Sequence, residues 1–174
     1  NGHCTGQSLT AIWYYLNKKM RFGAPALYDQ MDKVHTQAMW MDNPRGVRFA
    51  SVVWKGLRWT QRSNWLQQHF ENIGTKAISK DSLHYLAFAF SMRNTGHPQL
   101  TEIWRQDNGW KGHAMIVYGV DKGTLLIADP NFPGKARQTK LEAGVFVPYS
   151  SGDNAENTGR QYPMIQFIAH SAIV

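Results

Sequence analysis

Cys4, His113 and Asp129 carry the side chains that nucleophilic acyl chemistry needs. A thiolate attacks carbonyl carbon, an imidazole takes and returns the proton, and a carboxylate holds the imidazole in the useful tautomer. His113 and Asp129 lie within the stretch Lys111 to Asn131, which reads as a β-hairpin. Apolar residues run from Ala114 to Val120, Asp121-Lys122-Gly123 punctuates, and Leu125 to Ala128 is apolar again. Pairing Val120 with Thr124 sets His113 opposite Asn131 and Met115 opposite Asp129. His113 and Asp129 are then diagonal neighbours on one face, about 7–8 Å apart at Cα. Asn131, directly opposite His113 in this register, is an alternative group to orient the imidazole. Cys4 is the only cysteine in the chain.

The elements around Cys4 set its chemistry. Leu9, Ile12, Trp13, Leu16 and Met20 recur at helical spacing, with Thr5 and Ser8 as candidate caps and Gly23-Ala24-Pro25 as the stop. Cys4 therefore falls at or just before a helix N-terminus, where unpaired N–H groups and the dipole favour thiolate over thiol. A second helix is expected with Leu27, Met31, Val34, Ala38 and Met41 inward. A loop follows at Asn43-Pro44-Arg45-Gly46, then a third helix with Val47, Ala50, Val53, Trp54 and Leu57 inward. A fourth is expected over residues 63–73, stopped by Gly74. From about residue 76 the pattern turns to strands: Leu83 to Met92, Leu100 to Trp104 (strand or helical turn), the hairpin, Thr139 to Val147, and Tyr162 to Ala169. Asn94 to Pro98 and Asp107 to Gly109 read as turns, and Ser150 to Arg160 as a polar loop. Helices followed by antiparallel strands indicate an α+β fold. One domain, 1–174, is expected, with a helical half over about 1–75 packed on a sheet half over about 76–174. A cleft between the halves would bring the first helix against the hairpin.

Length and composition narrow the classes. A chain of 174 residues supports one core. The 13% aromatic share, with seven Trp, argues against disorder. No apolar run reaches the ~18 residues of a membrane span. The chain starts at Asn1 with no initiator Met or signal peptide, as expected of a processed product or an excised domain. One cysteine excludes an internal disulfide framework and a multi-cysteine zinc site, and the histidines show no metal-ligand spacing. No metal or other cofactor is expected. The formal charge of +7 favours acidic partners, either an acidic protein surface or an anionic membrane. The positive charges are dispersed, with local groups at Lys18-Lys19-x-Arg21 and Lys55/Arg58/Arg62, so a nucleic-acid partner is not expected.

The segment Gly2-His3-Cys4-Thr5-Gly6-Gln7-Ser8-Leu9, followed by Trp13, resembles the nucleophile segment of papain-like cysteine proteases. With His113-Ala114-Met115 at a strand start and Ala128-Asp129-Pro130-Asn131, it most resembles the YopT/AvrPphB group of bacterial effector proteases. The resemblance covers three short segments; residues 21–110 show none. It implies a papain-like fold with Cys4 as nucleophile, His113 as general base and Asp129 as its orienting group. It also implies a protein substrate and a bacterial secreted effector or toxin acting in a reducing cytosol. Gln7 stands where that group has Leu, and His3 beside Cys4 reads as a rim residue. The oxyanion-stabilising Asn or Gln of such enzymes lies several residues before the cysteine, further than this chain extends.

Two other readings share these residues. A glutamine or asparagine deamidase, or a transglutaminase-like acyltransferase, would use the same triad with a different amide or acceptor. A non-catalytic basic, Trp-rich module would instead hold Trp54, Trp59 and Trp65 at the surface beside Lys55, Arg58 and Arg62.

Overall fold

The computed structural model describes residues 3–30, 44–56, 78–151 and 160–169. The fold is α+β: a short N-terminal helical part and a mostly antiparallel sheet. Helix α1 spans His3–Tyr14 and continues through a π-helical turn, Tyr15–Lys19, to Met20–Phe22. Gly23 ends it at φ 65°, a left-handed conformation that glycine adopts without steric cost. A 3-10 turn covers Leu27–Gln30. Helix α2 spans Pro44–Gly56 and helix α3 spans Lys80–Thr95. The strands are β1 Gln99–Gln106, β2 Trp110–Asp121, β3 Thr124–Ala128, β4 Arg137–Glu142, β5 Val145–Phe146, β6 Tyr149–Ser150, β7 Gln161–Tyr162 and β8 Met164–Ile168. The main sheet has the order β5-β4-β3-β2-β1-β8, and β6 pairs with β7.

The helices cover opposite faces of the sheet. Leu9 and Ile12 of α1 pack on Leu100, Ile116 and Ile168. On the other face Phe88 of α3 packs with Ile103, Met115, Val117, Leu125, Ile127 and Phe167. The split follows from strand alternation: neighbours such as Met115 and Ile116 point to opposite faces.

Several expected elements are corrected. Leu83 to Met92 is helical, not a strand. The alternation of Tyr85, Ala87 and Ala89 with Leu86, Phe88 and Phe90 suits either period, but no β-branched residue lies between Ser82 and Asn94. The helix also carries its own caps: Ser79 Oγ accepts from the Ser82 N–H at 3.0 Å, and Gly96 closes the other end at φ 68°. The sheet half therefore opens with a helix. Pro44, Arg45 and Gly46 form the first turn of α2 rather than a loop, with Pro44 where its missing N–H costs nothing. Ala50 faces inward as expected, but Trp54 is 41% exposed; Trp13 and Met20, expected inward on α1, are 44% and 57% exposed. Thr5 and Ser8 lie inside α1 rather than capping it. Thr139 to Val147 is a hairpin, turned at Ala143 and Gly144, whose φ values of 47° and 82° break the single strand expected. Leu100 to Trp104 lies in a strand, and Tyr162 to Ala169 carries β7 and β8. The helical expectations from Met31 to Met41 and over 63–73, with Leu57 and most of the loop after Ser150, lie outside the described residues.

The hairpin departs from its expected register at the turn, and the expected pairs of His113 with Asn131 and Met115 with Asp129 lie beyond its ladder. Asp121 pairs with Thr124 and Val120 with Leu125, around a two-residue turn whose Lys122 and Gly123 have φ of 42° and 84°. A register shift between Val117 and Gly119 then restores the expected alignment, with Ile116 opposite Ala128.

Candidate active site

Ladder pairing of β2 with β3 ends at Ile116 and Ala128, two residues short of Ala114. Helix α1 takes the main-chain groups left there. Ser8 Oγ donates to the Ala114 carbonyl at 3.2 Å, and the Ala114 N–H donates to Cys4 Sγ at 3.4 Å. Cys4 and Ser8 are one helical turn apart, so both meet the same strand residue. On its other side α1 is held by close approach to α2: a Cβ on Gly6 would lie 2.0 Å from the Ala50 carbonyl oxygen.

His113 and Asp129 follow Met115 and Ile127 on the α3 side of the sheet, as strand alternation requires. His113 Nε2 and Asp129 Oδ1 are 2.7 Å apart, and both residues are buried. The imidazole and the Cys4 thiol lie close enough for each to shift the other's protonation. With Nε2 engaged by the carboxylate, Nδ1 is the ring nitrogen left for the thiol. The structure thus brings Cys4, His113 and Asp129 together, in a chain from sulfur to imidazole to carboxylate. The other candidates fall elsewhere. His3 Nδ1 lies 3.0 Å from Ser51 Oγ of α2. Gln7 lines a cavity of about 300 Å³ with Ser8, Ala11, Ile116, Phe132 and Asp129. Asn131 does not replace Asp129: its backbone N–H donates to Asp129 Oδ1 at 2.9 Å, and its side chain donates to Ser151 Oγ at 3.4 Å.

Sequence reasoning missed the support behind Asp129. The Tyr149 hydroxyl donates to Asp129 Oδ2 at 2.8 Å and the Ser151 hydroxyl to the same oxygen at 3.4 Å. Arg137 Nε donates to the Tyr149 oxygen at 3.1 Å, and its guanidinium lies 4.2 Å from the Phe132 ring centroid. Tyr149 comes from the short strand β6, and nothing in the local pattern distinguishes it from a core aromatic.

The electrostatics follow from these contacts. Burial pushes the Cys4 thiol up, but the His113 hydrogen bond and charge, with the Ala114 and Thr5 N–H groups, outweigh it and hold the thiol below its ordinary value. Burial disfavours charged His113, yet Asp129 and Cys4 raise it to about 9. Burial likewise works against ionised Asp129, and His113, Asn131 and Tyr149 overcome it and hold the carboxyl low. A low thiol beside a high imidazole favours the thiolate–imidazolium pair at neutral pH. Among the described residues no group of His, Cys, Asp and Glu could hold a metal ion, and no helix is long and apolar enough to cross a membrane.

Compared with known proteins, the chain matches no family model, no curated protein and no solved structure.

Proposed function

We propose that this chain is a thiol-dependent hydrolase of papain-like type, a cysteine protease acting on a protein substrate. The observation that carries this reading is the His113–Asp129 hydrogen bond with the Cys4 thiol coupled to the same imidazole, the thiol held low and the imidazole held high. The Cys4 thiolate attacks the amide carbonyl carbon; a C–S bond forms and the carbonyl electron pair moves to oxygen. The Cys4 backbone N–H, in the first turn of α1, is one donor for that oxyanion. His113 passes its proton to the leaving amine as the C–N bond breaks, giving a thioester. Neutral His113 then takes a proton from water, which attacks the thioester and frees the thiolate. Asp129 keeps the ring oriented through both steps.

A deamidase or an acyltransferase would share every step to the thioester, and differs in the amide admitted and in the acceptor. A non-catalytic binding module draws support from Trp54, 41% exposed and next to the exposed Lys55; Trp59, Trp65, Arg58 and Arg62 lie outside the described residues. The electrostatic coupling of Cys4 to His113 favours chemistry over binding alone. The positive charge suits an acidic protein surface or an anionic membrane as the place of action. The resemblance to effector proteases suggests delivery into a reducing cytosol.

Labelling with iodoacetamide across pH tests the reading. Cys4 should react well below pH 8, and His113→Ala should remove that reactivity. A thiol that titrates near its ordinary ~8.5 in both proteins would overturn it.

A further inference from the structure

The α1-facing side of the central sheet is laid out in rows across β8, β1 and β2. Ile168, Leu100 and Ile116 form one row, covered by Leu9 and Ile12 of α1. Gln166, Glu102 and Ala114 form the next, level with Cys4 because the Ala114 N–H meets the sulfur. Met164, Trp104 and Gly112 form a third row, past Cys4 toward the start of α1. Glu102 and Trp104 are half-buried and Gly112 is exposed. An acidic group therefore sits in the sheet face next to Ala114, whose N–H meets the thiol, one strand spacing of about 5 Å away.

Among the described residues the surroundings of Glu102 show no countercharge. Among the described residues no Lys, Arg or His forms an ion pair with it; Arg105, three residues on, is engaged by Asp107 at 3.0 Å. Burial pushes its carboxyl up to about 7, against a smaller opposing effect of the neighbouring Trp104 side chain. The Trp104 ring lies over Gly112, where a Cβ would come within 2.6 Å of a ring carbon, so glycine lets the indole lie flat on β2. A carboxylate and an aromatic face side by side are the two groups that bind an ammonium or guanidinium.

We propose that Glu102 and Trp104 form a subsite for a cationic side chain, lysine or arginine, of a substrate segment bound beside the Cys4 thiol. The inference rests on the acyl-transfer reading above and names the substrate chemistry that this site selects. The cation supplies a charge to pair with Glu102, and the ring supplies its face. A lysine or arginine one or two residues from the attacked carbonyl has the reach to cross the single strand spacing.

Dipeptidyl chloromethyl ketones test this, with lysine or norleucine at the first or second position before the ketone. The rate of Cys4 alkylation is read by mass spectrometry, and the lysine/norleucine ratio is taken within each protein so that changes in thiol chemistry cancel. At pH 8 the lysine probe should react at least about tenfold faster at one of the two positions. Glu102→Gln should bring that ratio close to one. In the unmodified protein the ratio should fall as pH drops through about 7, because the carboxyl then takes up a proton. This last measurement needs no variant to fold. A ratio near one at both positions, or one that Glu102→Gln and acid leave intact, overturns the subsite. If iodoacetamide labelling at acid pH is still fast, the acyl-transfer reading survives that result; if Cys4 labels only as an ordinary thiol, both fall.

Discussion

Asp129→Asn perturbs the candidate site with least change of shape. The amide keeps the volume but loses the charge, and it presents a donor on one side. Oδ1 faces His113 Nε2 and the Asn131 N–H, while Oδ2 faces the Tyr149 and Ser151 hydroxyls. If the amide nitrogen takes the Oδ1 place, it meets the Asn131 N–H and forces His113 to accept at Nε2. If it takes the Oδ2 place, Tyr149 loses its acceptor. The imidazole stands at about 9 against an ordinary 6.5, and the interactions with Asp129 lead those that raise it. Raising the imidazole that far against burial corresponds to a preference for imidazolium on the order of 3 kcal/mol, to which Asp129 and Cys4 both contribute. Taking a half or more of it from Asp129 gives about 2 kcal/mol, or roughly a thirtyfold loss of ion pair. The sign in pH follows from the raised imidazole and the lowered thiol. In the unmodified protein the pair persists from below the thiol's ordinary value up to about 9, and is lost as pH rises through 9 when His113 deprotonates. In Asp129→Asn the upper limit should drop toward 6.5, and iodoacetamide labelling at pH 6 should slow about ten- to hundredfold. Far-UV circular dichroism and thermal melting separate this from unfolding. A folded variant that labels at pH 6 as fast as the unmodified protein, with its upper limit still near 9, refutes the role given to the carboxylate.

Gly6→Ala puts a methyl 2.0 Å from the Ala50 carbonyl oxygen, which is main chain and does not swing aside. Separating α1 from α2 should cost about 1–3 kcal/mol in denaturant melts and slow Cys4 labelling, since α1 carries the thiol; an unchanged midpoint would contradict this packing. His84 is buried on α3, where its Nδ1 accepts from the Phe167 N–H at 3.2 Å; burial, with the Lys80 charge, lowers it to about 4. Its lowered value means the unfolded chain binds the extra proton. The contribution is therefore complete above about 6.5 and lost as pH falls toward 4, by on the order of 2–3 kcal/mol. His84→Gln should flatten the melting temperature between pH 6.5 and 4, and an equally steep fall would remove His84 as the cause.

The parts of the site legible in the sequence are those written in local pattern. Cys4 precedes a helical stripe, and the hairpin alternation places His113 and Asp129 on one face. The turn slips by one residue against the expected register, and the shift between Val117 and Gly119 restores it at Ile116 and Ala128, where ladder pairing ends. Other features depend on tertiary contact. Tyr149 and Ser151 reach Asp129 from residues twenty or more positions away along the chain. Trp13 and Trp54 read as core because their spacing matches a stripe, but a stripe gives a direction relative to its own helix and not what covers it. The segment Leu83 to Met92 failed differently. Its Ser79 and Gly96 caps stand in the sequence, and they and the missing β-branched residues outweigh the two-residue alternation.

The docking of α1 on Ala114 joins positions 106 and 110 residues apart in the chain. The thiol is therefore synthesised about 110 residues before the strand residue that holds it. A nascent or partly folded chain carries an ordinary cysteine, because the imidazole and the Ala114 N–H arrive only when the hairpin closes on the helix. Reactivity is then a property of the finished molecule. The long loop closure that makes this contact slow to form also keeps the nucleophile quiet until the fold is complete.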